Sequence, residues 1–70
     1  MIPLTMAKAG ETLTIQRITG LDKARQHLGE LGFVPGTEIT VVSEIGGNLI
    51  VQVKESRVAL DRSMANRIQV

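Results

Sequence analysis

The sequence predicts a mainly β protein: a small antiparallel barrel with one short helix inserted after its first long strand. Three observations lead there. Apolar residues alternate with polar ones in several short runs, glycine-bearing turns separate those runs, and one stretch alone shifts to helical spacing. Parallel pairing would need a long crossover for each pair of strands, and the connections here are too short. Closure into a barrel also removes the exposed strand edges that invite aggregation.

The elements follow in order. Thr12-Leu13-Thr14-Ile15-Gln16 alternates, with Leu13 and Ile15 on the inward face, and the alternation fails at Arg17-Ile18, where a bend is expected. After Gly20, Leu21, Ala24, Leu28 and Leu31 recur at helical spacing as one narrow stripe. Thr19 with Asp22 fits a weak capping box at the helix start. Gly29 lies inside the helix, where close packing against a neighbouring strand would account for it; Gly32 stands where a left-handed C-terminal residue is wanted. Pro35-Gly36 suits a type II turn. Glu38 to Ile45 reads as a strand with Ile39, Val41 and Ile45 inward, and Gly46-Gly47-Asn48 as a tight hairpin turn. Leu49 to Lys54 follows with Leu49, Val51 and Val53 inward. After a Glu55-Ser56 connection, Arg57 to Leu60 places Val58 and Leu60 inward. Asp61 to Ala65 is long enough for one helical turn, and Arg67 to Val70 returns as a closing strand. The shared core is expected to hold Leu13, Ile15, Leu28, Leu31, Val41, Val51, Val53, Val58, Leu60 and Ile68.

Seventy residues without an internal repeat or linker make a single domain, 1–70. With 43% hydrophobic and 21% charged residues, the composition is that of a globular chain and not a disordered one. There is no cysteine, which excludes a disulfide scaffold, a thiolate metal site and a cysteine nucleophile together. Eight basic and seven acidic residues are spread along the chain, and Phe33 is the only aromatic residue. A nucleic-acid binder of this size would show a basic stripe and stacking aromatics, so no nucleic-acid partner is expected. Met1 to Met6 lacks the apolar length of a signal peptide or membrane anchor, which points to a cytoplasmic protein with no direct membrane insertion.

Candidate chemistry is sparse. The single histidine, His27, sits at the edge of the helix stripe and reads first as a half-exposed helix residue. Paired with Glu30 one turn on, it offers two metal ligands, with Glu44, Asp61 or a second copy as sources of a third. Ser43, Ser56 and Ser63 have no nucleophile motif around them. Gly46-Gly47-Asn48 lacks the lysine and following helix of a phosphate cradle. Arg57, Arg62 and Arg67 read as solvated charges, and Met6 and Met64 as core filler. No catalytic residue and no cofactor are assigned.

Leu28-Gly29-Glu30-Leu31-Gly32-Phe33-Val34-Pro35-Gly36 carries a resemblance. It is similar to the signature of the bacterial ferrous iron transport protein A (FeoA) family. The opening Pro3-Leu4 with Gly10-Glu11, the passage Ile18 to Gly20, the hairpin Asn48 to Lys54 with Ser56 to Ala59, and the closing Ala65, Ile68 and Val70 resemble it in order and spacing. Two places depart from it. Many members carry Pro-x-Gly-Gly-Pro where this chain has Ile45-Gly46-Gly47-Asn48, and paired glycines where it has Thr19-Gly20.

The resemblance implies an SH3-like barrel that serves as cytosolic accessory to a ferrous iron permease (FeoB), a membrane protein with a cytosolic GTPase domain. It also implies an alternative, a metal-responsive regulatory module like the C-terminal domain of iron-dependent repressors. The residues themselves suggest where docking would occur. Phe33 and Val34 are adjacent, so an extended backbone points them opposite ways, and Pro35-Gly36 holds the next turn rigid. Phe33, Val34, Pro35 and Gly36 are the expected partner-binding residues if the protein docks here, the alternative being that Phe33 plugs one end of the barrel and Val34 covers its rim. Outward-parity Val42, Ile50 and Ala59 offer a further apolar surface. The purified protein is expected to hydrolyse no nucleotide and to show no steeply salt-dependent binding of duplex DNA. Sustained GTP turnover that tracks the chain through purification would overturn the first half of that expectation.

Overall fold

Strict alternation in the stretch Leu49, Val51, Val53 gives the sheet its inner face, and all three side chains are buried. In the computed structural model, which describes residues 1–70, this stretch belongs to β4 (Asn48–Val53), one of the two inner strands of the larger sheet. A 3-10 turn (Leu4–Met6) precedes β1 (Thr12–Thr14), β2 (Arg17–Ile18) and α1 (Lys23–Glu30); β3 (Glu38–Ile45), β4, β5 (Ser56–Leu60), α2 (Arg62–Ala65) and β6 (Ile68–Gln69) follow. The larger sheet has the order β1-β3-β4-β5 and a smaller one pairs β2 with β6, every pairing antiparallel. The fold is the expected mainly β, SH3-like one.

The two sheets meet at a corner. The Ile15 amide donates to the Thr37 carbonyl (2.9 Å), while the next amide, Gln16, donates to the Gln69 carbonyl (2.8 Å). Successive residues thus bond to opposite sheets, which is why the sequence alternation breaks at Arg17-Ile18. The chain ends join the smaller sheet: Ile2 and Val70 exchange backbone hydrogen bonds of 2.9 and 2.8 Å.

Thirteen buried residues form one core, all of them apolar, and no buried side-chain polar atom lacks a partner. Ile15, Leu28, Val41, Val51, Val53, Leu60 and Ile68 lie in it as expected, with Leu13, Leu31 and Val58 half-buried against it. Phe33 joins it as the inward member of the Phe33-Val34 pair, and Leu4, Ile18 and Ala65 join it without having been foreseen. Those three sit in elements too short to show a period.

Five local expectations need correction. Ile45 is 65% exposed. The register between β3 and β4 slips between Val41 and Ser43, and one extra residue turns everything after it to the other face. Leu21 lies outside α1 and is 95% exposed, because the helix starts at Lys23. The cap is Asp22 alone, whose Oδ1 accepts the Arg25 amide at 3.4 Å, while the Thr19 hydroxyl donates to the Arg67 carbonyl at 3.4 Å. The β4–β5 turn is Lys54-Glu55, since Val53 pairs with Ser56. Gly29 packs against nothing: a Cβ there meets no atom within 4 Å. Glycine at such a site costs up to about 1 kcal/mol relative to alanine.

The C-terminus of α1 explains the buried aromatic. Gly32 adopts φ +102°, its amide donates to the Gly29 carbonyl (3.0 Å) and the Phe33 amide to the Leu28 carbonyl (3.0 Å). This is a Schellman motif, which brings the residue after the glycine onto the last helical turn. Phe33 and Leu28 are accordingly both fully buried. Phe33→Ala is expected to cost about 3–5 kcal/mol. A 70-residue chain holds only about 4–10 kcal/mol in all. Chemical denaturation should show the variant partly unfolded in water, with Val34→Ala close to wild type.

Candidate functional site

The segment after the Schellman motif is fixed at both ends. The Val34 amide donates to the Gly32 carbonyl (3.1 Å), and the Val34 carbonyl accepts the Thr37 amide (3.1 Å) across Pro35 and Gly36. Gly36 has φ +91°, as the third residue of a type II turn requires. Its amide is tied to the Ile15 carbonyl (2.8 Å), so the turn is anchored on the corner between the sheets. Between these restraints Phe33 points into the core, fully buried, and Val34 stands 41% exposed. The turn thus presents one apolar side chain on a backbone with little freedom left to lose.

Val34 borders a groove of about 560 Å³. Helix α1 and its cap supply the other side through Asp22, Arg25, Gln26 and Gly29, which share one face because they are three or four positions apart. Leu21 adds its exposed side chain, and buried Ile18 and Phe33 lie at the base. The opposite face of α1 carries buried Leu28 and half-buried Ala24 and Leu31.

Charge along the groove is settled by one ion pair, the only one in the chain. Arg67 holds Asp22 with both branches of its guanidinium, Nη1 to Oδ1 at 2.8 Å and Nη2 to Oδ2 at 3.0 Å. The guanidinium occupies the space where a side chain at Gly20 would start, and Gly20 has φ +93°. The Arg67 hydrogen bond, aided by the Arg25 amide, holds the Asp22 carboxyl below the usual aspartate range. Arg67 was expected to be a solvated charge; the partners are 45 residues apart, and no local pattern links them. Arg57 is also engaged, its Nε donating to Gln52 Oε1 at 3.1 Å.

The remaining candidates are placed as follows. His27 and Glu30 are exposed on α1, and no three His, Cys, Asp or Glu side chains gather into a metal-binding group. Met6 is 68% exposed and so is not core filler, because the 3-10 turn buries Leu4 in its place; Met64 is half-buried against the core. Val42 and Ile50 are half-buried and Ala59 exposed. No helix is long and apolar enough to cross a membrane.

The ion pair makes a pH prediction. Asp22 has a lowered pKa in the folded state, so its contribution is present above the unfolded-state value of about 3.9. That contribution is lost as pH falls through the lower folded value. Asp22→Asn keeps a capping side chain but removes the charge. Its thermal midpoint should lie below that of wild type at neutral pH, and the two curves should converge in acid. A constant gap down to the lowest pH at which both fold would contradict the assignment.

Comparison with known proteins matches this geometry to a described group. Residues 2–70 match the model of the FeoA domain. A protein of Methanocaldococcus jannaschii named "Putative Fe(2+) transport protein A" is 33% identical over 70 residues, covering all of this chain and 85% of that one. The crystal structure of Stenotrophomonas maltophilia FeoA complexed with zinc, described as a prokaryotic SH3 domain protein, superposes with a TM-score of 0.88 at 32% identity. That match covers 99% of this chain and 88% of the other. A manganese-dependent transcriptional repressor shares the fold alone: TM-score 0.84 and 23% identity, over 94% of this chain and 38% of the repressor.

Proposed function

Because this chain belongs to the FeoA family, whose domain model matches residues 2–70, we propose that it is a cytoplasmic accessory of ferrous iron uptake. In this reading it binds and modulates the cytosolic GTPase domain of a FeoB-type membrane permease. One observation carries the docking part: Val34, exposed at the groove's border on a backbone fixed by Gly32, Pro35 and Gly36. A side chain held in place before binding loses little entropy when a partner covers it, which favours it as an anchor. Phe33 contributes from below by fixing the height of the turn, while Pro35 and Gly36 give it its shape.

A second reading, the metal-responsive regulatory module, draws on the zinc complex of the Stenotrophomonas maltophilia relative. Here it has only the exposed pair His27 and Glu30 to build on. Titration of the isolated protein with ferrous iron, with and without His27→Ala, separates the two readings. Saturable binding lost in the variant favours the module, and affinity for the permease domain alone favours the accessory.

Val34→Asp tests the docking face. The variant should keep the wild-type thermal midpoint to within a few degrees, since Val34 lies outside the core and is 41% exposed. Its affinity for the purified cytosolic domain of the permease should fall at least about tenfold, as for an interface anchor. Unchanged affinity in a folded variant would remove this surface from the mechanism.

A further inference from the structure

Gly29 has no structural reason to be glycine. It lies inside α1, its φ is not left-handed, and a Cβ there would meet no atom within 4 Å. Helix propensity alone would favour alanine. The empty space beside it is the groove, so a methyl at residue 29 would intrude on whatever the groove receives.

The lining says what that is. Leu21 at 95% exposure and Val34 at 41% flank the groove, and apolar Ile18 and Phe33 lie beneath. Its charges are unbalanced. Lys23 and Arg25 have no acidic partner, and Asp22, the one acid of the lining, is already paired with Arg67. We infer that the groove receives a partner segment in which an apolar side chain is flanked by acidic residues. The apolar group fills the space over Gly29, and the acids meet Lys23 and Arg25. The volume of about 560 Å³ suits a few side chains of such a segment. A second copy of this chain fits less well, because a two-fold contact through the groove would bring both sets of Lys23 and Arg25 together. The inference rests on the permease reading and names the chemistry of the segment that the permease domain presents.

The test uses the whole protein, isotopically labelled for amide NMR, with two short synthetic peptides sharing one leucine anchor. One peptide flanks it with glutamates and the other with lysines. The acidic peptide should shift the amides of Leu21, Gly29 and Val34, and the basic one should not. Gly29→Ala should raise the thermal midpoint, yet weaken both the acidic peptide and the permease's purified cytosolic domain by at least about tenfold. The double variant Lys23→Glu, Arg25→Glu should weaken both similarly and flatten the salt dependence of binding. The inference is overturned if neither peptide shifts these amides, if both do so equally, or if Gly29→Ala lowers the midpoint. A dimer seen by sedimentation and broken by Gly29→Ala would also overturn it, making the groove a self-contact. Should the acidic peptide seat in the groove while the cytosolic domain fails to bind wild type, the groove inference stands and the permease reading falls. Should the domain bind wild type and both groove variants alike, the groove inference falls and the permease reading stands.

Discussion

Ile15 carries three backbone and packing duties at once. Its side chain is buried in the core, its amide binds the Thr37 carbonyl, and its carbonyl accepts the Gly36 amide. The residues from Arg17 to Pro35, which include β2, α1 and the Val34 turn, are therefore an excursion closed at its base by two hydrogen bonds. An excursion left open would have to order its helix from local interactions alone, and an eight-residue helix is far too short to be stable by itself. Closure at Ile15 puts α1 against the sheet, where Leu28 and the Schellman-linked Phe33 hold it by burial. The Asp22–Arg67 pair then ties the helix start to the approach of β6. Both ends of α1 are thus fixed by different chemistry, and the groove beside it inherits its shape from them.

Strand faces were legible wherever alternation ran long enough. Val51 and Val53 in β4, and Leu60 in β5, needed no tertiary information to be placed inward, because a period of two leaves only one choice of face. The turns at Pro35-Gly36 and Gly46-Gly47 were equally plain, since each needs a positive φ that glycine supplies. What escaped notice was set by long-range geometry. Leu4 is buried because the N-terminal segment pairs with Gln69 and Val70, an association that a run of six residues cannot announce. Ile45 turned outward because of a bulge, and no residue in Val41-Val42-Ser43 signals one.

The candidate site was legible in part for the same reason. Phe33 and Val34 could be seen to diverge, because that follows from adjacency and a rigid turn. Leu21 could not be placed on the groove, nor Arg67 against the groove's Asp22, since the first depends on where a helix begins and the second acts across 45 residues. Gly29 was visible throughout, but its reading reversed. In sequence it suggested a close neighbour; in the fold it faces open space.

The pairing of Ile2 with Val70 has a consequence for how such a barrel travels between proteins. Both ends of the chain leave from adjacent points on one edge of the smaller sheet. A polypeptide can enter and exit there without crossing the core or opening a strand pair, so the barrel behaves as a cassette with a common doorway. Tethered to something larger, it would need only one short connection and would swing about a single pivot. The fold's occurrence over 38% of a longer repressor chain is in keeping with that portability.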